Sequence, residues 1–481
     1  MISTPYFRKN PITISLLIIN LCIIMLTFTG CKKLVEVNAP TTTISAKNVY
    51  SNDQTAIAVL TAIYAQISSK NLIGTDLNSV GFITGLSGDE LTFYDGYADD
   101  LLRSYYQNQI PADISAFWSI IYNEIYISNA AVEGLNSANS LSFSVKQQLL
   151  GEAKFLRAFC YFYLVNLYGD VPLILETDYI QNRVMSRTPK AQVWQQIITD
   201  LTDAKSLLSS DYLDGTLFNK TTEHVRPTKW AAAALLARSY LYIGDWKNAE
   251  TQASSVINSD IYSLDSLSNV FLRNSNESIW QLQPVNLGAN TEEAIIYIIP
   301  SSGLSSTTPV YLSPQLINSF EPNDQRKKNW IDTVRSSDSL YYFVYKYKIS
   351  AVTIDQEPIE YNTVLRLGEQ YLIRAEARAQ LNDLAGARSD LNIIRERAWL
   401  TASTLNEKSA LLRSIYHERQ VELFTEWGHR WLDLKRTKMV DAVMGVVTPQ
   451  KGGTWNTDQQ LYPIPPTDIL FDGNLTQNPG Y

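Results

Sequence analysis

Leu149, Ala153, Leu156, Cys160, Tyr163 and Leu167 recur three or four positions apart without a break, which commits that stretch to a helix with one wholly buried face. A strand would send alternate members to opposite sides. Gly169 and Pro172 close the pattern, since neither favours continuing a helix. Two earlier stretches share the period: Ala56, Leu60, Ile63 and Ile67, then Trp118, Tyr122, Ile125 and Asn129. Apolar and aromatic stripes at this spacing are core, so no chemistry is assigned to them.

Pro227, suited to a first helical turn, opens a helix-turn-helix unit that reaches Ile257. Leu236, Ala237, Tyr240, Gly244, Ala249 and Ala253 stand at tetratricopeptide positions, small where two helices approach closely. Arg374, Ala375, Arg378, Asn382, Ala387 and Leu391 repeat those offsets, with arginine at two places where an apolar or aromatic residue is usual. Units so far apart in the chain are not expected to form a continuous solenoid. Between them lie short β-like runs, Ser278-Ile279-Trp280-Gln281-Leu282 and Ile295-Ile296-Tyr297-Ile298-Ile299, broken by Ser, Asn, Pro and Gly. The expected architecture is mainly α. Tetratricopeptide-like helix pairs over 49–258 and 361–445 form a scaffold, a loop-rich irregular insertion with short strands occupies about 260–360, and 446–481 is an extended C-terminal segment. Loops of this kind tend to carry binding residues.

The N-terminus reads as an export signal. Arg8 and Lys9 precede an almost unbroken apolar run from Ile12 to Leu26, too short and too closely flanked to span a bilayer comfortably. The run closes on Phe28-Thr29-Gly30-Cys31, small residues before a cysteine, as lipoprotein processing requires. Residues 1–30 are therefore assigned to a lipoprotein signal peptide, Cys31 to lipidation, and 31–48, with its Pro40 and three threonines, to a tether. The acyl chains on one cysteine would hold the chain on a membrane, each methylene contributing about 0.8 kcal/mol. An ordinary signal with a chance cysteine is the competing reading.

Acids outnumber bases, 48 to 40, for a formal charge of −8, which argues against nucleic acid or anionic lipid as the main partner. Cys22 would leave with the signal and Cys31 would be acylated, so Cys160 stands alone and the core must hold the fold without disulfides. Aromatics reach 11%, many in segments without core periodicity, which points to a surface that grips something flat.

Signs of catalysis are weak. His224, His417 and His429 have no metal spacing, so no metal or cofactor is expected. The stretch Gly85-Leu86-Ser87-Gly88-Asp89 is not a nucleophile elbow. Asp89 with Glu90, Asp99 with Asp100, or Glu357 with Glu360 could form a glycosidase pair, though acids are common and spacing alone shows no separation. Asp95, Asp99 and Asp100 lack the EF-hand spacing and closing Glu. Between Glu418 and Arg436, opposite charges alternate with apolar residues; an anion clamp is one reading, buried ion pairs pinning a helix to the core the stronger one.

Four segments together resemble the SusD/RagB family of Bacteroidetes outer-membrane lipoproteins: Cys31 to Val37 with Pro40; Glu152 to Ala158 through Leu167 to Pro172; Arg419 to Arg436; and Tyr462 to Pro465 with Asn474 to Tyr481. The resemblance runs from Cys31 to Tyr481. It implies a helical fold with four tetratricopeptide-like pairs and an irregular lobe carrying the ligand site. It also implies a non-enzymatic role: a surface lid over a SusC-like TonB-dependent transporter, capturing glycans or, in some members, peptides. Acidic residues often follow the cysteine in surface-exported lipoproteins of these bacteria, whereas Lys32-Lys33 and a single Glu36 stand here. An outer-membrane location facing the exterior thus follows from the resemblance more than from the signal.

Site residues do not transfer by motif. The candidates are aromatics in non-core loops: Phe93, Tyr94 and Tyr97 with Asp89 and Asp95, then Tyr297, Tyr311 and Trp330 from the insertion. Replacing Tyr94, Tyr97 and Trp330 together is expected to abolish ligand binding with little change in melting temperature. An anchored glycoside hydrolase and a protein-binding tetratricopeptide scaffold are the competing readings.

Overall fold

The computed structural model describes residues 49–68, 77, 79–286, 288, 290–336, 338–350 and 356–481. The signal, Cys31 and the tether lie outside them. Helix α1 (Asp53–Gln66) begins at Asn52, whose side chain accepts the Thr55 N–H at 3.0 Å. Helices α2 (Val80–Ser87) and α3 (Asp100–Tyr106) follow, with strand β1 (Leu91–Phe93) between them. The long array then starts with α4 (Trp118–Ser137) and α5 (Phe143–Tyr168). All six residues of the α5 stripe are fully buried, and the helix stops at Gly169.

Helices α6 (Lys190–Leu207), α7 (Lys229–Ile243) and α8 (Trp246–Ile257) extend the array, each packed on the one before. Gly244 makes the α7–α8 turn in the left-handed conformation, φ 76°, where any side chain would be strained. After the insertion come α9 (Leu367–Gln380), α10 (Leu384–Arg397), α11 (Lys408–Glu422), α12 (His429–Arg436) and α13 (Val440–Gln450).

The array does not break at the insertion, contrary to the expectation from chain separation. Helix α9 packs directly on α8, and Ile373 and Ala377 join Ala237, Leu241, Ala249 and Ala253 in one cluster. The cause is local. Strands β2 (Ser278–Leu282) and β6 (Asn362–Arg366) pair antiparallel, Ser278 opposite Arg366 and Leu282 opposite Asn362, so the chain leaves and returns at one place.

Two further strand pairs lie in the lobe. Strand β3 (Val310–Leu312) pairs with β1, and β4 (Ile331–Ser336) with β5 (Ser339–Val344). The run Ile295 to Ile299, expected as a strand, instead belongs largely to a short helix, Glu292–Tyr297. Thr291 caps it by accepting the Ala294 N–H at 3.2 Å, and Glu292 and Glu293 occupy the first turn. That cap chemistry overrides the β-branched composition.

Buried arginine–carboxylate forks bind the helices to one another. Arg157 of α5 holds Asp200 of α6 at 2.7 and 2.8 Å; Arg238 of α7 holds Glu369 of α9 at 2.7 Å on both oxygens. The arginines that looked out of place in the second repeat are satisfied in the same way, Arg374 and Arg378 both meeting Asp390 of α10.

A larger network anchors the insertion. Arg366 binds Glu277, Glu422 and Glu426, while Arg326 binds Asp324, Glu418 and Glu422. Arg397 reaches Glu277 and Glu422, and Lys346 reaches Glu426 at 2.5 Å. The charged stretch between Glu418 and Arg436 is therefore engaged in packing: Arg419 holds Asp433, and Arg436 holds Asp433 and Glu376.

Removing one member of such a fork strands the other charge in a dry environment. Arg238→Met is expected to cost about 3–5 kcal/mol in urea denaturation, and Arg238→Met with Glu369→Leu to recover most of that loss.

Candidate functional site

Strand β1 emerges from the end of α2 and pairs with β3 so that Thr92 faces Tyr311. Strand β5 runs beside β3, and Tyr341 meets the Tyr311 ring edge-on at 5.1 Å. Beyond β1 the chain turns tightly, the Tyr97 N–H donating to the Tyr94 carbonyl at 3.1 Å. A Cβ at Gly96 would overlap the Tyr94 ring, so glycine is what lets that ring lie across the turn. Asp99 then caps α3, accepting the Leu102 N–H at 2.9 Å, and the helix brings Tyr106 back over Phe93.

Phe93 is the buried hub. Tyr97 and Tyr106 sit 6.4 and 6.3 Å from its ring, and the Arg103 guanidinium lies 5.4 Å away. Around it five tyrosines, Tyr94, Tyr97, Tyr106, Tyr311 and Tyr341, are half-buried, each leaving part of its surface to solvent. Asp95 is exposed at the rim, 3.4 Å from Arg103. Burial pushes the Tyr106 hydroxyl up to about 12 and also raises Tyr311, which Tyr341 reinforces. Both hydroxyls therefore stay protonated at neutral pH. Flat apolar faces ringed by neutral donors suit a polyhydroxylated ring, and the patch contains no activated nucleophile.

Five sequence candidates thus meet in one place: Phe93 as support, with Tyr94, Asp95, Tyr97 and Tyr311 at the surface. The other three are elsewhere. Asp89 is buried in a two-point ion pair with Arg430, both contacts 2.7 Å. Tyr297 is enclosed against Phe82 at 6.0 Å. Trp330 is fully buried, its indole N–H donating to the Leu267 carbonyl at 2.7 Å and its ring near Phe271 and Lys346. None of these three offers a face to a ligand, so their assignment as surface binders is corrected to packing. Thr92, Tyr106 and Tyr341 were missed. Tyr106 ends a short helix with no clear period, and the unbroken run Leu340, Tyr341, Tyr342 and Phe343 suits a strand without showing its neighbour.

Among the described residues no group of three or more His, Cys, Asp or Glu is placed to hold a metal ion, and no helix is long and apolar enough to cross a membrane.

Two family models match the chain. One, described as starch-binding associating with outer membrane, covers residues 41–241, and the SusD family model covers 327–481. A SusD-like protein, P2, of Formosa agariphila is 27% identical, spanning 96% of this chain and 99% of its own length. The chain belongs to the SusD/RagB family. Among solved SusD superfamily structures, one from Bacteroides vulgatus superposes with a TM-score of 0.77 at 20% identity, over 90% of this chain and all of the other. Surface glycan-binding protein A of Bacteroides fluxus superposes at 0.73 and 21% identity, over 89% and 99%. The fold is thus the mainly α, tetratricopeptide-like SusD fold.

The SusD motifs within the described residues serve the scaffold. Glu152 binds Arg226 and the Tyr64 hydroxyl under α1, and Arg430 holds the start of β1 through Asp89. The Tyr462 N–H donates to the Leu167 carbonyl at 2.8 Å, and the Asn478 amide bridges the Tyr168 and Tyr462 carbonyls, clamping the C-terminal segment to the end of α5. The residues of the tyrosine patch belong to none of these motifs. Core and patch should separate in stability: Trp330→Ala is expected to cost about 3–5 kcal/mol, and Tyr94→Ala less than about 1 kcal/mol, by chemical denaturation of each variant.

Proposed function

We propose that this chain is a glycan-binding protein of the outer membrane, lipid-anchored through Cys31, that passes captured oligosaccharide to a SusC-like TonB-dependent transporter. The observation that carries the reading is the tyrosine patch. Five half-buried phenol rings on two adjoining strand pairs, a tight turn and the end of α3 offer stacking faces, while Thr92 and Asp95 supply polar groups that orient a sugar. The likeness to a surface glycan-binding protein supports the same assignment.

Binding without turnover fits the acids of this region. Hydrolysis of a glycosidic bond needs two free carboxyl groups across the substrate. Asp99 is engaged as the cap of α3, Asp89 is paired with Arg430, and Glu90 is buried against the Thr425 N–H, its acidity weakened by that burial to about 8. Asp95 and Asp100 are the exposed acids of the region, and Asp95 is paired with Arg103 at 3.4 Å. The lipid anchor would keep the bound glycan at high local concentration above the transporter.

Affinity electrophoresis across plant, host and fungal glycans tests the reading. The native chain is expected to be retarded by at least one glycan without releasing reducing ends. Tyr94→Ala, Tyr97→Ala and Tyr311→Ala combined should lose that retardation with little change in melting temperature. Full retardation of the triple variant would remove the patch as the site, and steady release of reducing ends would make the protein an enzyme. For the anchor, Cys31→Ala is expected to move the protein from the membrane fraction to the soluble one; continued membrane association would show that something other than the lipid holds it.

A further inference from the structure

A groove of about 1170 Å³ opens between the C-terminal end of α5, helices α6, α7 and α12, and the C-terminal segment, and it shares no residue with the tyrosine patch. Its charge runs against that of the chain. Four cations, Arg187, Lys190, Lys435 and Arg436, line it with only two acids, Asp170 and Asp458, in a protein of net charge −8.

The cations are not equivalent. Arg436 is neutralised by Asp433 and Glu376. The other three have no carboxylate within ion-pair distance among the described residues. Arg187 spends its N–H groups on backbone carbonyls and the Asn478 side chain. Lys435 donates to the Asn166 carbonyl and keeps two further N–H groups, and the Lys190 side chain is exposed. Burial and the neighbouring Lys190 together lower the basicity of Lys435 to about 7. Lys190 and Lys435 thus line one groove without an ion-pair partner, Asp170 accepting only the Lys190 backbone N–H at 2.8 Å, and a bound anion would gain charge-assisted hydrogen bonds from both.

An aromatic wall stands beside them. Trp194 of α6 is pinned edge-on to Phe162 at 5.6 Å and lies 6.2 Å from Tyr242 of α7, and both Trp194 and Tyr242 line the groove. Indole beside ammonium is the pairing that a charged sugar recruits: stacking for the ring, charge-assisted hydrogen bonds for its acidic substituent.

We infer that this groove is a second carbohydrate site, selective for saccharides bearing a carboxylate or sulfate, with Lys190 and Lys435 on the anionic group and Trp194 against the sugar ring. The inference rests on the reading of the protein as a glycan binder and is independent of the tyrosine patch.

Isothermal titration of the full mature chain tests it with three oligosaccharides of matched length: an oligogalacturonate, a sulfated galactan fragment and a neutral β-glucan fragment. At least one charged ligand is expected to bind more tightly than the neutral one. Lys190→Glu, whose side chain is exposed and should leave the melting temperature unchanged, and Lys435→Met should each weaken that binding on the order of tenfold. The combined Tyr94, Tyr97 and Tyr311 variant should hold it within about twofold. Binding of the uronate alone or the sulfate alone upholds the site and identifies the anion. Three results would overturn the groove: no charged ligand binding more tightly than the neutral one, native affinity in Lys190→Glu, or loss only in the tyrosine variant. Failure of the patch reads out separately, as unchanged neutral-glycan retardation in that tyrosine variant.

Discussion

Arg366 and Glu422, both buried and 2.7 Å apart, stand at the join on which the rest of the molecule depends. Burial alone would raise the pKa of Glu422, yet Arg397, Arg366 and Arg326 outweigh it and hold the carboxyl well below the usual range. Charges taken out of water are favourable only in good geometry with their remaining hydrogen bonds met, and the guanidinium fork supplies that geometry. The members come from seven places: the segments before β2 and β4, the stretch after β5, the β6–α9 junction, the ends of α10 and α11, and the segment after α11. Misplacing any one leaves several charges unmatched, so the lobe has one seat on the scaffold.

The seat also positions the ligand surface, because both halves of the tyrosine patch refer to the short segment after α11. Lys346 donates to the Glu422 and Phe424 carbonyls and fixes the end of β5, the strand that carries Tyr341. On the other side, Glu90 accepts the Thr425 N–H and Asp89 holds Arg430, which fixes the start of β1. The Ser313 hydroxyl donates to the Asp89 carbonyl at 2.5 Å and ties β3 to the same point. Preorganised aromatic faces lose little freedom on binding, which is what stacking recognition requires.

The scaffold was legible where one face of a helix repeats, as in the stripe from Leu149 to Leu167, because burial imposes a period on the sequence. Continuity from α8 to α9 was not, since it depends on the β2–β6 pairing across the whole insertion. Ile295 to Ile299 looked like a strand by composition, while the decisive signal was one threonine and two acids ahead of it. Trp330 stands among Lys327, Lys328, Asn329 and Asp332, a polar setting that suggests a loop; its burial comes from distant Phe271, Phe424 and Lys346. Asp89 looked available for the same reason, with its partner Arg430 far along the chain. Local aromatic density found most of the patch, and only tertiary contacts added Tyr106 and Tyr341.

The β2–β6 pair works as a socket. Whatever lies between residues 283 and 361 enters and leaves through it, and the entropy of closing such a loop grows only with the logarithm of its length. Segments of the lobe outside Asp324, Arg326 and Lys346, which the buried charge network needs, can therefore be lengthened, shortened or exchanged while α8 still meets α9. Such an exchange replaces Tyr311 and Tyr341 but keeps Tyr94, Tyr97 and Tyr106, which belong to the first part of the chain. Recognition in this architecture can thus evolve by halves, one set of rings holding an old sugar contact while the other explores a new one.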